Sequence, residues 1–114
     1  MKNNKRVYQS NRKLVGVSDN DYNYFNSNKE KFGKVVKVVM RDYDKQGVVY
    51  PLTLWNENGD RMKLATNSGY GGTGPQTTVK ILHEAGINID PEFIFKNSEF
   101  VAEVDQDGRL FYGV

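Results

Sequence analysis

The amino-acid sequence predicts an α+β domain: an antiparallel β meander, one central short α-helix that follows a glycine-rich loop, and a C-terminal β-hairpin. Segments rich in valine and aromatic residues, typical of strands, lie before the helix and after it. One amphipathic helix pattern lies between them and begins near Pro75. The chain has 114 residues, the size of one domain, so we predict a single domain over residues 1–114.

The N-terminal third has the weakest patterns. Residues 1–6 are basic and polar, which predicts a flexible tail. The broken apolar pattern over residues 7–17 predicts one or two short strands. Residues 18–32 carry apolar side chains at helical spacing before Gly33, but their asparagines favour turns, so either a loose helix or an ordered loop is expected.

Three strands are predicted to form the meander. Lys34–Tyr43 interleaves valines with lysines, and a turn at residues 44–47 leads into a second strand at Val48–Trp55. Pro51 lies inside that second strand and cannot donate a ladder hydrogen bond, which predicts an open edge or a bulge there. Arg61–Thr66 alternates apolar and polar side chains, which predicts a half-buried third strand.

The central helix follows the glycine-rich loop, and a hairpin ends the domain. Pro75 suits a first helical turn because its missing N–H would have no partner there, and Gly86 fits a left-handed stop. Residues 90–93 predict a short helical turn. Residues 99–105 and 109–112 predict the hairpin, since an Asp-Gly turn separates them.

Composition and charge restrict the classes of function. The chain has no cysteine, which excludes disulfides, thiolate nucleophiles and Cys-based zinc sites. No apolar segment approaches the ~20 residues of a membrane span and no secretory signal is recognisable, so we expect a cytoplasmic protein without a membrane partner. Net charge is +2, but residues 1–45 hold eleven Lys/Arg against five Asp/Glu, which indicates a basic face that attracts phosphates.

The glycine-rich loop, Gly69 to Gly74, is the feature that most strongly indicates a function. Glycines let the backbone approach a ligand closely, and the following helix N-terminus presents unpaired N–H groups and a positive dipole end. We therefore predict an anion site there. Its predicted ligand-binding residues are Tyr70, Gly71, Gly72, Thr73 and Gly74. The alternative is a tight strand-to-helix turn with Tyr70 packed as a lid.

Two established nucleotide motifs are disfavoured. The phosphate-binding loop of nucleoside triphosphatases ends in Gly-Lys-Ser/Thr, whereas here Gly74 is followed by Pro75 and Gln76. Gly69, Gly71 and Gly74 satisfy the G-x-G-x-x-G dinucleotide fingerprint. However, the preceding strand is amphipathic rather than apolar throughout, and nothing supplies the remaining βαβ units.

No catalytic constellation is recognisable. The one histidine, His83, is best interpreted as a favourable charge near a helix C-terminus. We therefore predict a protein that is not an enzyme and that has no cofactor and no metal site. Charge neutralisation for a ligand is expected from the basic strands, and the candidate residues are Lys34, Lys37, Arg61 and Lys63.

The segment Gly69-Tyr70-Gly71-Gly72-Thr73-Gly74-Pro75-Gln76 resembles the hallmark of a family of small uncharacterised proteins from phage and plasmid genomes. In that family a Gly-Tyr-Gly-Gly-Ser-Gly-Pro segment opens an apolar helix. The resemblance covers residues 66–86, with Thr73 in place of the family's serine and Ser68 where a large aromatic residue is usual. The family has no function that could be transferred to this chain. The resemblance implies a mobile-element setting and, for a phage protein, the host-cell cytoplasm.

The leading hypothesis is a non-enzymatic, phage-type protein that captures a phosphate-bearing small molecule, a nucleotide or a nucleotide signal of host defence. Homo-oligomerisation would let two glycine loops share one ligand. The first alternative is an inhibitor or adaptor of a host protein, in contact through the open edge at Pro51 or through Tyr22, Tyr24 and Phe25. The second is single-stranded nucleic-acid binding. Its candidate residues are Lys34, Lys37, Arg41, Arg61, Lys63, Tyr43, Tyr50 and Trp55.

Overall fold

The part of the chain that the structure describes folds into a six-stranded mixed sheet and three helices, so the predicted α+β class is confirmed. The structure is a computed structural model that describes residues 5–11, 18–42, 44–45 and 47–114. In chain order the elements are β1 (Val7–Gln9), α1 (Ser18–Phe32), β2 (Val35–Met40), β3 (Leu52–Asn56), β4 (Arg61–Leu64), α2 (Thr73–Glu84), α3 (Pro91–Lys96), β5 (Phe100–Val104) and β6 (Leu110–Gly113). Their order across the sheet is β1-β4-β3-β2-β5-β6.

The predicted meander and hairpin are both present. β2 pairs antiparallel with β3, and β3 pairs antiparallel with β4. β5 and β6 form the C-terminal hairpin. The two units are not separate, because β5 also pairs antiparallel with β2 and so joins the hairpin to the meander in one sheet. β1 adds a parallel pairing with β4, which the sequence does not predict.

The second strand begins later than predicted and has no open edge. β3 begins at Leu52, after Pro51, and lies between β2 and β4 in the interior of the sheet. Pro51 is buried, and its carbonyl accepts a hydrogen bond from the Arg41 N–H at 3.0 Å. The proline is tolerated because it precedes the strand and contributes only an acceptor. The irregularity of this sheet lies instead in β2, between Val35 and Lys37.

Two helices join the predicted central helix, α2, in the described part of the chain. α1 forms in spite of its asparagines because Phe25 and Phe32 are buried against the sheet. The Phe32 ring packs edge-on against Tyr8 of β1, with ring centroids 5.3 Å apart. α3 is capped by the Asp90 side chain, which accepts a hydrogen bond from the Glu92 N–H at 3.0 Å. None of the described helices has the length and apolar character needed to cross a membrane.

Some predicted features lie outside the described residues. These are residues 1–4 of the predicted tail, the apolar residues Leu14, Val15 and Val17, and Tyr43. The last two residues of the predicted tail are described. The Arg6 N–H donates to Asp60 Oδ1 at 2.9 Å, and Lys5 Nζ donates to a carbonyl of the β3–β4 turn. These contacts attach the start of β1 to that turn.

The three helices cover one face of the sheet. The strand side chains that pack against them in the core are Tyr8, Val35, Val38, Met40, Leu52, Leu54, Met62, Leu64, Phe100 and Ala102. Successive side chains of a strand point to opposite faces, so the residues between them project from the other side. That second surface, here called the open face, consists of Val7, Gln9, Lys37, Val39, Thr53, Trp55, Arg61, Lys63, Val101, Glu103, Phe111 and Gly113. None of these twelve belongs to the core cluster or to the partly buried hydrophobic residues packed against it.

Candidate functional site

Two rows of side chains cross the open face because the strand registers align them. The first row is Val7, Arg61, Trp55, Lys37, Glu103 and Phe111. The second row is Gln9, Lys63, Thr53, Val39, Val101 and Gly113. The cations lie on β4 and β2, on either side of the only tryptophan of the chain, whereas the β5–β6 end carries one carboxylate and apolar side chains. The open face is therefore divided into a basic half and an apolar half.

A cleft of ≈ 280 Å³ opens on the basic half of the open face. Its walls are formed by side chains of β3 and β4 and by residues 47–50, which precede β3. The polar and aromatic lining residues are Arg41, Tyr50, Thr53, Trp55, Arg61 and Lys63. This volume lies near the lower limit of small-ligand sites, about 300 Å³, so the cleft has the size for a mononucleotide or part of one.

The three cations of the cleft have no carboxylate partner among the described residues. Arg61 and Lys63 occupy alternate positions of β4, roughly 6.6 Å apart along the strand. Arg41 directly follows β2. The ion pairs that form between described residues all use other cations. Positive charge without a local counter-ion on a concave surface attracts anions, and a guanidinium matches the geometry of phosphate oxygens.

Two aromatic rings border these cations. Trp55 is half-buried between Arg61 and Lys37, and Lys37 Nζ lies 5.5 Å from the centroid of its ring. Tyr50 is anchored through its hydroxyl, which donates to the Ser10 carbonyl at 2.8 Å. A flat ring next to cations is the arrangement that stacks a nucleobase while its phosphate is neutralised.

The segment between β2 and β3, which borders the cleft, is tied to the sheet on two sides. The bond from Arg41 to Pro51 closes the base of the segment. Lys45 Nζ lies 2.9 Å from Glu99 Oε2, just before β5. This ammonium lowers the pKa of the Glu99 carboxyl, first through the hydrogen bond and then through its charge, and Glu99 correspondingly raises the pKa of Lys45. The segment between β2 and β3 is therefore anchored just before β3 and just before β5.

The glycine-rich loop leads into the helix as predicted, but α2 begins at Thr73 rather than near Pro75, so Thr73 and Gly74 belong to its first turn. Side chains of residues 67–70 lie over the helix start. Gly72 is the N-cap of α2 and offers no side chain to bond the first amides. The Tyr70 hydroxyl donates to Asn67 Oδ1 at 3.0 Å. A Cβ on Gly72 would lie 2.6 Å from Tyr70 Cε2, and a Cβ on Gly74 would lie 2.1 Å from Asn67 Oδ1. These two glycines thus make room for the hydrogen-bonded Asn67–Tyr70 pair.

A second cleft, of ≈ 500 Å³, lies beside the glycine loop, and its ionisable side chains are acidic. It is lined by Asp42, Asp44, Ser68, Tyr70 and Ser98 among others, and by none of the predicted cations. Two carboxylates at this position oppose the binding of an anion. The electrostatics beside the loop are therefore opposite in sign to those of the cleft on the open face.

The four cations predicted to neutralise a ligand at the loop do not surround it. Lys37, Arg61 and Lys63 project from the open face, whereas α2 packs on the other face. Lys34 directly precedes the start of β2. The loop follows β4, and the last residue of β4, Leu64, lies level with Met40 at the far end of β2. Six strand residues span roughly 20 Å between those ends. The structure brings Arg61 and Lys63 together with Arg41, Tyr50 and Trp55. The sequence analysis names these last three residues only as candidates for nucleic-acid binding.

Of the residues predicted to contact a host protein, Phe25 and Pro51 are buried, and Tyr22 and Tyr24 are partly buried against the core. Phe25 is 1 % exposed, and Pro51 precedes an interior strand, so neither is available to a partner. The Tyr22 hydroxyl donates to Glu84 Oε2 at 2.8 Å, and Lys80 Nζ lies 3.9 Å from the Tyr22 ring centroid. This hydrogen bond raises the pKa of Tyr22 and lowers the pKa of Glu84. These residues hold α1 against α2.

The single histidine and the turn carboxylates have structural contacts. His83 Nε2 lies 2.9 Å from the Ile89 carbonyl oxygen, which links the end of α2 to the segment before α3. Asp105 Oδ1 accepts hydrogen bonds from the Asp107 and Arg109 amides, both at 2.9 Å, within the β5–β6 turn. Over the described ranges, no three His, Asp or Glu side chains come together as a metal ion would require.

Comparisons with protein-family models, with curated proteins and with solved structures found no match. No relative therefore transfers a family, an activity or a ligand to this chain.

Proposed function

We propose that this chain is a non-enzymatic binding protein that captures a phosphate-bearing small molecule, a nucleotide or a nucleotide signal, in the cleft of the open face. The observation that carries the proposal is that Arg41, Arg61 and Lys63 line one cleft with Trp55 and lack carboxylate partners among the described residues. In this proposal the three cations bind the phosphate through charge-assisted hydrogen bonds, and Trp55 stacks on the base.

The open-face cleft is a better candidate for phosphate than the glycine loop. Its lining contains three cations and no carboxylate. The cleft beside the loop contains two aspartates, and the Asn67–Tyr70 pair lies over the helix start. A helix N-terminus contributes at most a partial charge, about half of one unit, so it does not outweigh two full negative charges nearby.

Calorimetric titration with nucleoside mono-, di- and triphosphates and with cyclic nucleotides tests this proposal. Arg61→Gln and Lys63→Gln are each expected to weaken binding about tenfold or more, because a hydrogen bond to a charged group contributes about 1.5–3 kcal/mol. Lys34→Gln is the matched control: it removes the same charge at the opposite end of β2. It is expected to leave the affinity within about twofold of the wild type.

Variants of the loop separate the two candidate sites. Gly71→Ala and Thr73→Ala alter the loop without steric conflict at Gly71, where an added Cβ meets nothing within 4 Å. Both variants are expected to bind like the wild type. If they lose binding while Arg61→Gln retains it, the ligand lies at the loop and the cleft is the wrong site. A panel without heat of binding at any nucleotide contradicts nucleotide capture itself.

A phage-type, anti-defence role is the biological setting we propose for this binding. It depends on the resemblance of residues 66–86 to small phage and plasmid proteins, and on the capacity of a phosphate-binding cleft to sequester a nucleotide signal. Mass spectrometry of the small molecules released on denaturation, after expression in an infected host, tests it. A bound nucleotide supports this role, and an empty protein from infected and uninfected cells alike contradicts it.

Single-stranded nucleic acid is the second candidate ligand. An uncovered sheet face with an aromatic ring between cations favours it. Glu103 opposes this candidate. Its carboxylate follows Lys37 in the first row, so a nucleic acid bound along that row toward Phe111 would pass over a negative charge. Affinity that increases with oligonucleotide length and falls steeply with salt supports this candidate. Equal affinity for a mononucleotide and an oligonucleotide supports the small-molecule proposal.

A further inference from the structure

β6 is an edge strand whose outer side is available for pairing. It pairs with β5 on one side, and no other strand of the described chain pairs with it. The Asp105 N–H donates to the Arg109 carbonyl at 2.9 Å at the start of the hairpin ladder. Because backbone groups alternate in direction along an antiparallel strand, Leu110 and Tyr112 direct their N–H and C=O groups away from β5.

The apolar half of the open face continues to this edge. Phe111 is 59 % exposed, and Val101 of β5 is 41 % exposed. Gly113 lies beside Val101 in the register, and an added Cβ on Gly113 would meet nothing within 4 Å. An aromatic ring that approaches from outside the sheet therefore has space over Gly113 and reaches Val101.

No charged side chain of this edge opposes the association of two copies. Leu110–Val114 contains no charged side chain. The neighbouring Arg109 guanidinium is already paired with Asp105 at 3.2 Å and with Asp107 at 3.3 Å. Edge strands that avoid pairing usually carry lysine, proline or a bulge, and β6 has none of these.

The other edge of the sheet is protected. β1 contains only three residues, and Lys5 and Arg6 directly precede it. Its pairing with β4 is parallel. A three-residue edge strand preceded by two cations is a poor template for a second chain. The two edges therefore differ in the way expected if only β6 associates.

We propose that β6 pairs antiparallel with β6 of a second copy of this chain, around a twofold axis at Tyr112, to form a dimer with one continuous sheet. In this register Tyr112 lies opposite its counterpart and Leu110 lies opposite Val114, so the outward backbone groups of both copies are hydrogen-bonded. Phe111 of each copy lies opposite Gly113 of the other and covers Val101. In a twofold-symmetric interface the contact of Phe111 with Gly113 occurs twice, once from each copy. An unrelated strand would not provide both contacts.

The dimer does not depend on the proposed ligand. The cleft residues belong to β3, β4 and the β2–β3 segment, and β6 lies two strands beyond β2 in the sheet. Pairing at β6 leaves that cleft accessible in both copies. Loss of the dimer and loss of nucleotide binding are therefore separate results, obtained with different variants.

Sedimentation velocity of the full chain from about 5 µM to about 500 µM tests the dimer. The wild type is expected to pass from monomer to dimer, and Phe111→Lys is expected to weaken association about tenfold or more. Phe111→Lys removes an exposed ring, and its new ammonium lies beside Glu103, so the monomer remains compatible with the substitution. Val7→Lys is the matched control at the other edge, where Val7 is 45 % exposed, and is expected to dimerise like the wild type.

Amide hydrogen exchange locates the interface. The Leu110 and Tyr112 amides are expected to exchange more slowly as the concentration rises, and to lose this dependence in Phe111→Lys. Gly113→Lys is a second variant with the same expected effect, should Phe111→Lys fail to fold. A wild type that stays monomeric over the whole range overturns the proposal. So does a dimer that survives both substitutions, or one in which the Leu110 and Tyr112 amides exchange at the monomer rate.

Discussion

Gly69→Ala is expected to destabilise the fold strongly, whereas Gly71→Ala, two residues later, is expected to be close to neutral. Gly69 has a φ of +98°, in the region that L residues rarely adopt, which costs about 1–2 kcal/mol for alanine. Its new methyl group would lie 2.8 Å from Ser98 Cβ and 2.9 Å from Ser98 Cα, and overpacking of this kind costs about 1–3 kcal/mol. Together these lower the free energy of unfolding by about 2–5 kcal/mol.

The surrounding contacts prevent easy relief of this strain. The Gly69 N–H donates to the Ile94 carbonyl at 3.0 Å, and the Ser68 hydroxyl donates to the Asn97 carbonyl at 2.6 Å, so the loop is fixed to α3 and to the residue after it. Gly71 has no positive φ and no atom within 4 Å of an added Cβ. Replacing Gly71 by alanine reduces the entropy of the unfolded chain, which stabilises by about 0.4–1 kcal/mol.

Thermal and urea denaturation, followed by the fluorescence of Trp55, measures both variants. For a domain of this size the loss in Gly69→Ala corresponds to a decrease in Tm of about 8–20 °C. Two results would contradict this prediction: a free energy of unfolding for Gly69→Ala within about 0.5 kcal/mol of the wild type, or a Gly71→Ala variant as unstable as Gly69→Ala. Either result would mean that the loop is not held against Ser98 in the way described.

Two further substitutions test contacts that organise the helices and the β3–β4 turn. The Tyr22 hydroxyl, and secondly Lys29, lower the pKa of Glu84 below its usual value of 4.5, so this carboxylate stabilises the fold above about pH 4.5 and the effect is lost as pH falls through the lowered pKa. Glu84→Gln is therefore expected to lose less stability than the wild type between about pH 7 and about pH 3, and identical acid dependence in thermal melts would contradict this. Asn56 is buried, donates to the Phe32 carbonyl at 2.7 Å and accepts from two turn amides at 2.9 Å. Asn56→Ala is expected to cost about 2–4 kcal/mol in urea unfolding, and a loss below about 1 kcal/mol would show that these bonds contribute little.

The meander and the hairpin follow from local patterns, which is why the sequence predicts them. Alternation over Arg61–Leu64 and the Asp-Gly turn at residues 107–108 each depend on neighbours in the chain. α1 is undecided from sequence because asparagine propensities oppose its apolar spacing. Burial of Phe25 and Phe32 decides it for the helix, and burial is a property of the tertiary fold.

The long-range pairings are not encoded in local patterns. β1 is three residues long and pairs in parallel with β4, with Val7 opposite Arg61, so no hairpin turn or periodicity indicates the contact. The same limit applies to the candidate site. Arg61 and Lys63 are recognisable as phosphate-binding residue types, but their grouping with Trp55 depends on strand register. The distance of Lys34 from the glycine loop depends on strand direction.

We propose above that the cations of the open-face cleft bind a phosphate-bearing ligand next to Trp55. Because Trp55 is the only tryptophan, its fluorescence during a nucleotide titration reports directly on this cleft. We expect a saturable change in the wild type that shifts to about tenfold higher nucleotide concentration, or more, in Arg61→Gln and in Lys63→Gln, and that is retained in Lys34→Gln. Fluorescence that does not respond to any nucleotide, or a response that both cleft variants preserve, would contradict it.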